Sequence, residues 1–230
     1  MTLDSIGIVG VTGRLGSAIR QACADSGVPV VATARTTGWR PRTGTPAVLI
    51  DASHPSALTG TLEFCRAHRC ALLYCVSDPA PADLERLHAL GAGAPVALIP
   101  NLSPLQWIQT RSAQLAGRLA AALDLTAEIT VIDRHTAAKR DAPSATARRL
   151  AGVLPESAQV VSERFGVRVC DHRVLFATGG ESLELTHAVR DLESAARAAL
   201  RLAARLAGSA PGFYTADQLY TRMTEPDRGE

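Results

Sequence analysis

The stretch GIVGVTGRLGSAIR, running from Gly7 to Arg20, decides how the rest of the chain is read. It begins inside a short apolar run, SIGIVG, of the kind that forms a buried strand. It passes into RLGSAIRQACADSG, which has helical spacing and closes on a glycine. Between the two stand Gly10, Gly13 and Gly16. Glycine there serves a tight turn, close approach of backbone to a pyrophosphate, and tight contact of helix with strand. The helix start then offers N–H groups and a partial positive charge to phosphates. The spacing departs from GxGxxG by one residue at the front, and a plain tight turn would use the same glycines. A position in the first strand–helix unit of an alternating chain favours the dinucleotide reading.

The alternation continues outward. PVVATA reads as a second strand, TTGWRPRTGTP as a Pro/Gly-rich loop and AVLIDAS as a third strand. ALTGTLEFCRAH, CALLYCVS, ADLERLHALGAG and PVALIPN follow as helix, strand, helix and strand, a rhythm that predicts a parallel α/β sheet. After Asn101 the rhythm changes. SPLQWIQTRSAQLAGRLAAALD is a long amphipathic helix, AEITVIDRH a strand of alternating character, and ATARRLAGVL a helix. GVRVCDHRVLFATGGESLELTHAV reads as strands around a Gly-Gly turn. A last helix is expected from Leu192 to Gly208, with Arg197, Arg201 and Arg205 on one face. This second part is closer to an α+β domain.

Composition narrows the classes. The 230 residues are 47% hydrophobic and carry a net charge of +2 with scattered arginines, so a real core is possible and no basic footprint for nucleic acid is present. No stretch approaches the roughly 18–20 apolar residues of a membrane span. MTLDSIGIVG has no basic region ahead of its apolar run, so no signal peptide is expected and a cytoplasmic protein is. Five cysteines without a CxxC pair read as reduced, buried thiols, and no metal site is expected.

Two further places carry chemistry. The second strand ends in Arg35, Thr36 and Thr37, with no carboxylate to hold a ribose 2′-hydroxyl; a guanidinium and hydroxyls suit a 2′-phosphate, so NADPH is expected over NADH, which remains possible. Downstream, DRHTAAKRDAPSATARRL places His135 and Lys139 four residues apart, on the loop expected to leave the strand. Lys139 supplies fixed positive charge and His135 can exchange a proton near neutral pH. Ser144 is a good N-cap behind Pro143, and Ala145 and Thr146 would present backbone N–H groups, and Thr146 a hydroxyl, to a carboxylate. A structural histidine and a solvated lysine are the plainer alternative at such positions.

Taken together, GxxGRLG, PNLS, H-x3-K-x-DAPS-x-TA and GES-x3-TH resemble the dihydrodipicolinate reductase family of lysine biosynthesis, in order and over most of the chain. VLIDASHP and GFYTADQLY are similar to two more of its segments. The resemblance implies an α/β fold: a Rossmann-like nucleotide domain from residues 1–102 and 190–230, and a smaller α+β substrate and oligomerisation domain over 103–189, building a tetramer. It implies hydride transfer from a nicotinamide to a cyclic imine dicarboxylate and proton delivery to the neighbouring carbon. Gly10, Gly13, Arg14 and Leu15 would match the cofactor positions, with Cys75, Ser77 and Asn101 beside the nicotinamide. His135 and Lys139 would be the acid–base and polarising pair, and Thr136, Ser144, Ala145 and Thr146 would meet the substrate.

The departures are specific. The family's second adjacent histidine is Thr136, its Ser-Gly-Thr cradle is Ser144-Ala145-Thr146, its Gly-Thr-Thr-Gly turn is Cys75-Val76-Ser77-Asp78, and the aromatic of PN-F-S is Leu102. A paralogue acting on a different imine acid would account for them, and a non-catalytic NADPH sensor is the rival from another class. His172 and His187 read as structural, Trp107 as packing, Glu181 as a loop residue, and Asp51 and Asp133 as acids at strand ends.

Overall fold

The computed structural model describes residues 3–35, 38–40, 43–167 and 169–224; Thr36 and Thr37, part of the 2′-phosphate reading, lie outside them. The chain divides into two compact units, residues 1–103 with 192–230, and residues 104–191.

The first unit is a seven-stranded sheet flanked by helices. In chain order it runs β1 (Ile6–Val9), α1 (Arg14–Ser26), β2 (Val30–Arg35), β3 (Gly38–Trp39), β4 (Val48–Asp51), a 3-10 turn at Pro55–Ala57, α2 (Leu58–His68), β5 (Ala71–Tyr74), α3 (Pro81–Gly91) and β6 (Pro95–Leu98). The strands lie in the order β11-β6-β5-β4-β1-β2-β3, where β11 (Gly212–Thr215) arrives late in the chain. All pairs are parallel except β2 with β3. β1, β4 and β5 are buried along their whole length, which is why they read as apolar runs, interrupted only by Asp51 at the end of β4. α2 and α3 contribute Leu58, Leu62, Leu87 and Leu90 to a core with Leu49, Leu72 and Val96.

The second unit begins with α4 (Pro104–Ala122) and contains β7 (Glu128–His135), α5 (Ala145–Ala151), β8 (Gln159–Arg164), β9 (Cys170–Ala177) and β10 (Ser182–Ala188). Its sheet has the order β10-β9-β7-β8, with β7 and β8 parallel and the other pairs antiparallel. β7 alternates strictly, so Ile129, Val131, Asp133 and His135 share its buried face. Ile129 and Val131 pack there with Ala113, Ala147, Leu150, Val174 and Phe176. α4 is pinned to this sheet by Gln109, whose amide donates to the carbonyls of His172 (2.7 Å) and Leu185 (2.9 Å).

Four expectations need correction. The segment read wholly as loop after β2 includes β3, a two-residue antiparallel edge strand too short to leave a pattern. β8 lacked an apolar run because it is an edge strand that stays largely exposed. The helix at Glu193–Ala207, α6, is not the last; β11 and α7 (Ala216–Thr224) follow it, and Tyr220 of α7 donates its hydroxyl to the Leu102 carbonyl at 2.7 Å. His135 closes β7 and does not lie on a loop, while Asp133 sits within the strand and not at its end.

Candidate active site

The glycine turn has the geometry its sequence requires. Gly10 has φ +78°, where an added Cβ would also stand 2.8 Å from the Ala52 carbonyl oxygen. At Gly16 a Cβ would fall 2.2 Å from the Gly10 carbonyl oxygen, so only glycine lets α1 come this close to the turn. Gly13 is the N-cap of α1, and no side chain caps that helix start. Its first-turn N–H groups are therefore left for a ligand or water.

Beside this turn lies a cleft of about 580 Å³ at the carboxyl ends of β1, β2 and β4, lined by Gly10, Gly13, Arg35, Trp39, Ser53 and His54 among others. The order of these strands reverses at β1, the place where open α/β sheets bind ligands. Below it Asp51 is fully buried and accepts from the Ser53 N–H (3.0 Å), the Ser53 hydroxyl and the Thr61 hydroxyl (2.6 Å). Burial raises its pKa, and those neutral donors hold the turn that floors the cleft. Arg14 and Leu15 open α1 just outside the lining. Cys75, Ser77 and Asn101 follow β5 and β6 and do not line the cleft either. The Cys75 thiol is buried toward the Leu73 carbonyl, with its pKa pushed up by burial, and the Asn101 side chain accepts from the Ser103 N–H. Trp39 had no motif to mark it, and His54 stood inside VLIDASHP without being singled out.

The second unit gathers the other candidates around Asp133. Strand pairing sets Asp133 opposite His172 on β9 and Ser162 on β8, and His172 opposite His187 on β10. Asp133 Oδ1 accepts from the Ser144 hydroxyl at 2.8 Å and lies 3.0 Å from His135 Nε2 and 3.5 Å from His172 Nε2. Oδ2 takes the Arg164 guanidinium (2.8 Å), the Ser144 N–H (2.9 Å) and the Ser162 hydroxyl (3.3 Å). Burial would raise this carboxyl, but Arg164 and Ser144 outweigh it and hold the pKa at about 2. Burial pulls the pKa of His135 down; Asp133 opposes the shift, while Lys139 and Arg164 add to it. Burial, with the neighbouring His135, pulls that of His172 down to about 4.

Arg164 also donates to the Asp141 carbonyl (2.5 Å), tying the loop that carries Lys139 to the end of β8. Lys139 is half-buried and pairs with Asp141 at 2.8 Å. Thr136 turns away, its hydroxyl on the Gly166 carbonyl at 3.0 Å. Ser144 does cap α5, accepting from the Ala147 N–H at 3.2 Å. Its hydroxyl is thereby shared between the helix and Asp133, so any anion held here would meet the helix start at Ala145 and Thr146 before that oxygen. The residues the sequence undervalued are Asp133 and His172. The period-two pattern of EITVIDRH was a usable signal, because it puts Asp133 and His135 on the face of Ile129 and Val131.

Asp133, His135 and His172 are also the one group among the described residues with the types and spacing of metal ligands. Two features argue for a proton here and against a cation. Arg164 already supplies the carboxylate's counter-charge, and His172 Nδ1 is buried without the second-shell acceptor that a metal-bound imidazole ordinarily has.

Residues 111–219 match the family described as "Dihydrodipicolinate reductase, C-terminus". A 4-hydroxy-tetrahydrodipicolinate reductase of Akkermansia muciniphila is 30% identical, over 94% of this chain and 97% of that protein. One from Aquifex aeolicus is 29% identical over 74% and 71%. Among solved structures, the dipicolinate-bound dihydrodipicolinate reductase of Paenisporosarcina sp. TG-14 superposes with a TM-score of 0.74 at 15% identity, over 93% of this chain and 98% of that one. An engineered D-amino acid dehydrogenase bound to NADP+ gives 0.53 at 12% identity, over 99% and 97%. No described helix is long and apolar enough to cross a membrane.

Proposed function

The chain belongs to the dihydrodipicolinate reductase family of NAD(P)H-dependent oxidoreductases, and from that premise we propose that it reduces a cyclic imine acid of the dihydrodipicolinate type with NADPH. The observation that carries the reading is His135, 3.0 Å from a buried Asp133 that Arg164 pairs at 2.8 Å, with the Lys139 charge near enough to lower the His135 pKa. Lys139 would hold a substrate carboxylate or polarise the imine, its present partner Asp141 being exchangeable at the surface. His135 would deliver the proton, with Asp133 stabilising its charged form. Ala145 and Thr146 at the start of α5 would meet a carboxylate through their N–H groups, with Thr136 at the rim.

The first unit would bind the nucleotide. The uncapped start of α1 at Gly13, Arg14 and Leu15 suits a pyrophosphate, and Gly10 keeps the turn clear of a Cβ. Arg35, exposed at the end of β2 and lining the cleft, suits a 2′-phosphate, which is the ground for NADPH over NADH. Cys75, Ser77 and Asn101 would flank the nicotinamide end. When bound, the reduced nicotinamide supplies the hydride. Exposed Leu115, Leu119 and Leu183 of the second unit support its assembly into a homo-oligomer, a tetramer as in the family, working in the cytoplasm.

A paralogous substrate is the second reading, and the occupied Ser144 hydroxyl beside Ala145 favours it. The test follows NADPH consumption with freshly made dihydrodipicolinate and with pyrroline- and piperideine-carboxylates. Turnover of the first at an ordinary enzymatic rate supports the lysine-pathway reaction; turnover only of another imine supports the paralogue. Tight NADPH binding with no imine consumed would defeat both.

A further inference from the structure

The buried cluster fixes where hydrogens can be. His135 Nε2 and His172 Nε2 are 3.3 Å apart, and two N–H groups cannot point at each other over that distance. Only one of the two nitrogens carries a hydrogen. The single hydroxyl hydrogen of Ser144 goes to Asp133 Oδ1 at 2.8 Å in preference to His172 Nε2 at 3.4 Å. His135 Nε2, at 3.0 Å, is nearer that carboxylate oxygen than His172 Nε2, at 3.5 Å, so the shared hydrogen sits on His135. His172 then offers a lone pair and keeps its own hydrogen on Nδ1, a sealed atom without a partner. His135 Nδ1 has no protein partner either, yet it is not sealed from solvent.

We propose that His172 is a positioning residue: its Nε2 lone pair and Asp133 together hold His135 as the Nε2–H tautomer, leaving Nδ1 as the edge that carries a proton to the substrate. The part played toward substrate rests on the reductase reading; the tautomer assignment does not. In the reaction, doubly protonated His135 gives its Nδ1 hydrogen to the carbon next to the one reduced. The N–H bonding pair stays on Nδ1, the ring becomes neutral with Nε2–H in place, and solvent restores the proton. Around His135 the charged and titratable groups are Asp133 on its own strand, Arg164 from β8, His172 and the directly opposite Cys170 from β9, and Lys139 and Asp141 from the following loop. His172 further faces His187 from β10 and has Asp171 beside it. Asp133 Oδ1 and His172 Nε2 lie 3.0 and 3.3 Å from His135 Nε2.

The test is nitrogen-15 NMR of the imidazole side chains in the full chain, labelled at histidine, near neutral pH. The expected spectrum has His135 protonated at Nε2 and bare at Nδ1, with His172 the opposite. A His135 bare at Nε2 overturns the proposal, and so does stoichiometric zinc retained by the protein and lost on His172→Leu. The assignment needs no turnover, so it survives or fails separately from the imine assay. In kinetics, His172→Leu should lower kcat by about tenfold to hundredfold and move the acid limb of the pH profile, with KM and NADPH affinity little changed. His172→Gln, whose Oε1 can accept where Nε2 did, should recover most of the rate. An unmoved pH profile in His172→Leu would overturn the positioning role, and the wild-type spectrum decides the tautomer even if that variant does not fold.

Discussion

The two units build their candidate sites from different materials. The cleft of the first is made mostly of backbone: Gly10 at positive φ, Gly16 under a carbonyl, and a helix start without a side-chain cap. The cluster of the second is made of side chains from three strands and a helix cap, held by one buried carboxylate. A backbone site depends on the absence of atoms and tolerates little addition. A side-chain site depends on charge balance and fails when a partner is removed.

The sharpest way to break the first half of that comparison is Gly16→Ala. Its Cβ would stand 2.2 Å from the Gly10 carbonyl oxygen, which is backbone and cannot step aside. NADPH affinity should fall by a hundredfold or more, about 3 kcal/mol, together with a lower Tm. Isothermal titration and a thermal melt check it.

For the second half, Lys139→Ala should lower kcat by about 10²–10⁴-fold and leave NADPH affinity unchanged. Activity that survives intact would remove Lys139 from the mechanism.

What was legible in the sequence follows the same division. The glycine turn announces itself because no other residue fits there, and the apolar runs of β1, β4 and β5 mark strands buried on both faces. DAPS marked the start of α5 because serine before a helix has few other uses. The hub was harder. Asp133 looks like any acid near a strand end until the period-two face is followed, and its partners His172, Ser162 and Arg164 come from strands 29 to 39 residues away in the chain. Register across a sheet is a long-range property that spacing within one strand does not state. β3 and β8 were missed because short or exposed edge strands bury too little to impose a pattern.

An effect of pH also separates the sites. His172 has a pKa of about 4 in the fold against an ordinary 6.5, so folding favours its neutral form. Its contribution is full above about 6.5 and is lost as pH falls toward 4, because the unfolded chain then binds the extra proton; the shift corresponds to roughly 3 kcal/mol. Asp133, held at about 2, adds its own loss only below the ordinary 3.8. Urea unfolding across this range should show the decline in the wild type and a flatter curve in His172→Gln. The smallest effect is expected at Arg35, exposed on the cleft: Arg35→Ala should reduce the NADPH-over-NADH affinity ratio by about tenfold. A wild-type ratio near unity would sharpen the account against the 2′-phosphate role.

The most direct measurement of the central claim is deuterium transfer. With NADPH deuterated at the transferable position of the nicotinamide and dihydrodipicolinate or a related cyclic imine acid as substrate, mass spectrometry of the product should show one deuterium per molecule for the wild type and almost no product for Lys139→Ala. Product without deuterium, or no product from any imine acid offered with NADPH bound, would contradict the account.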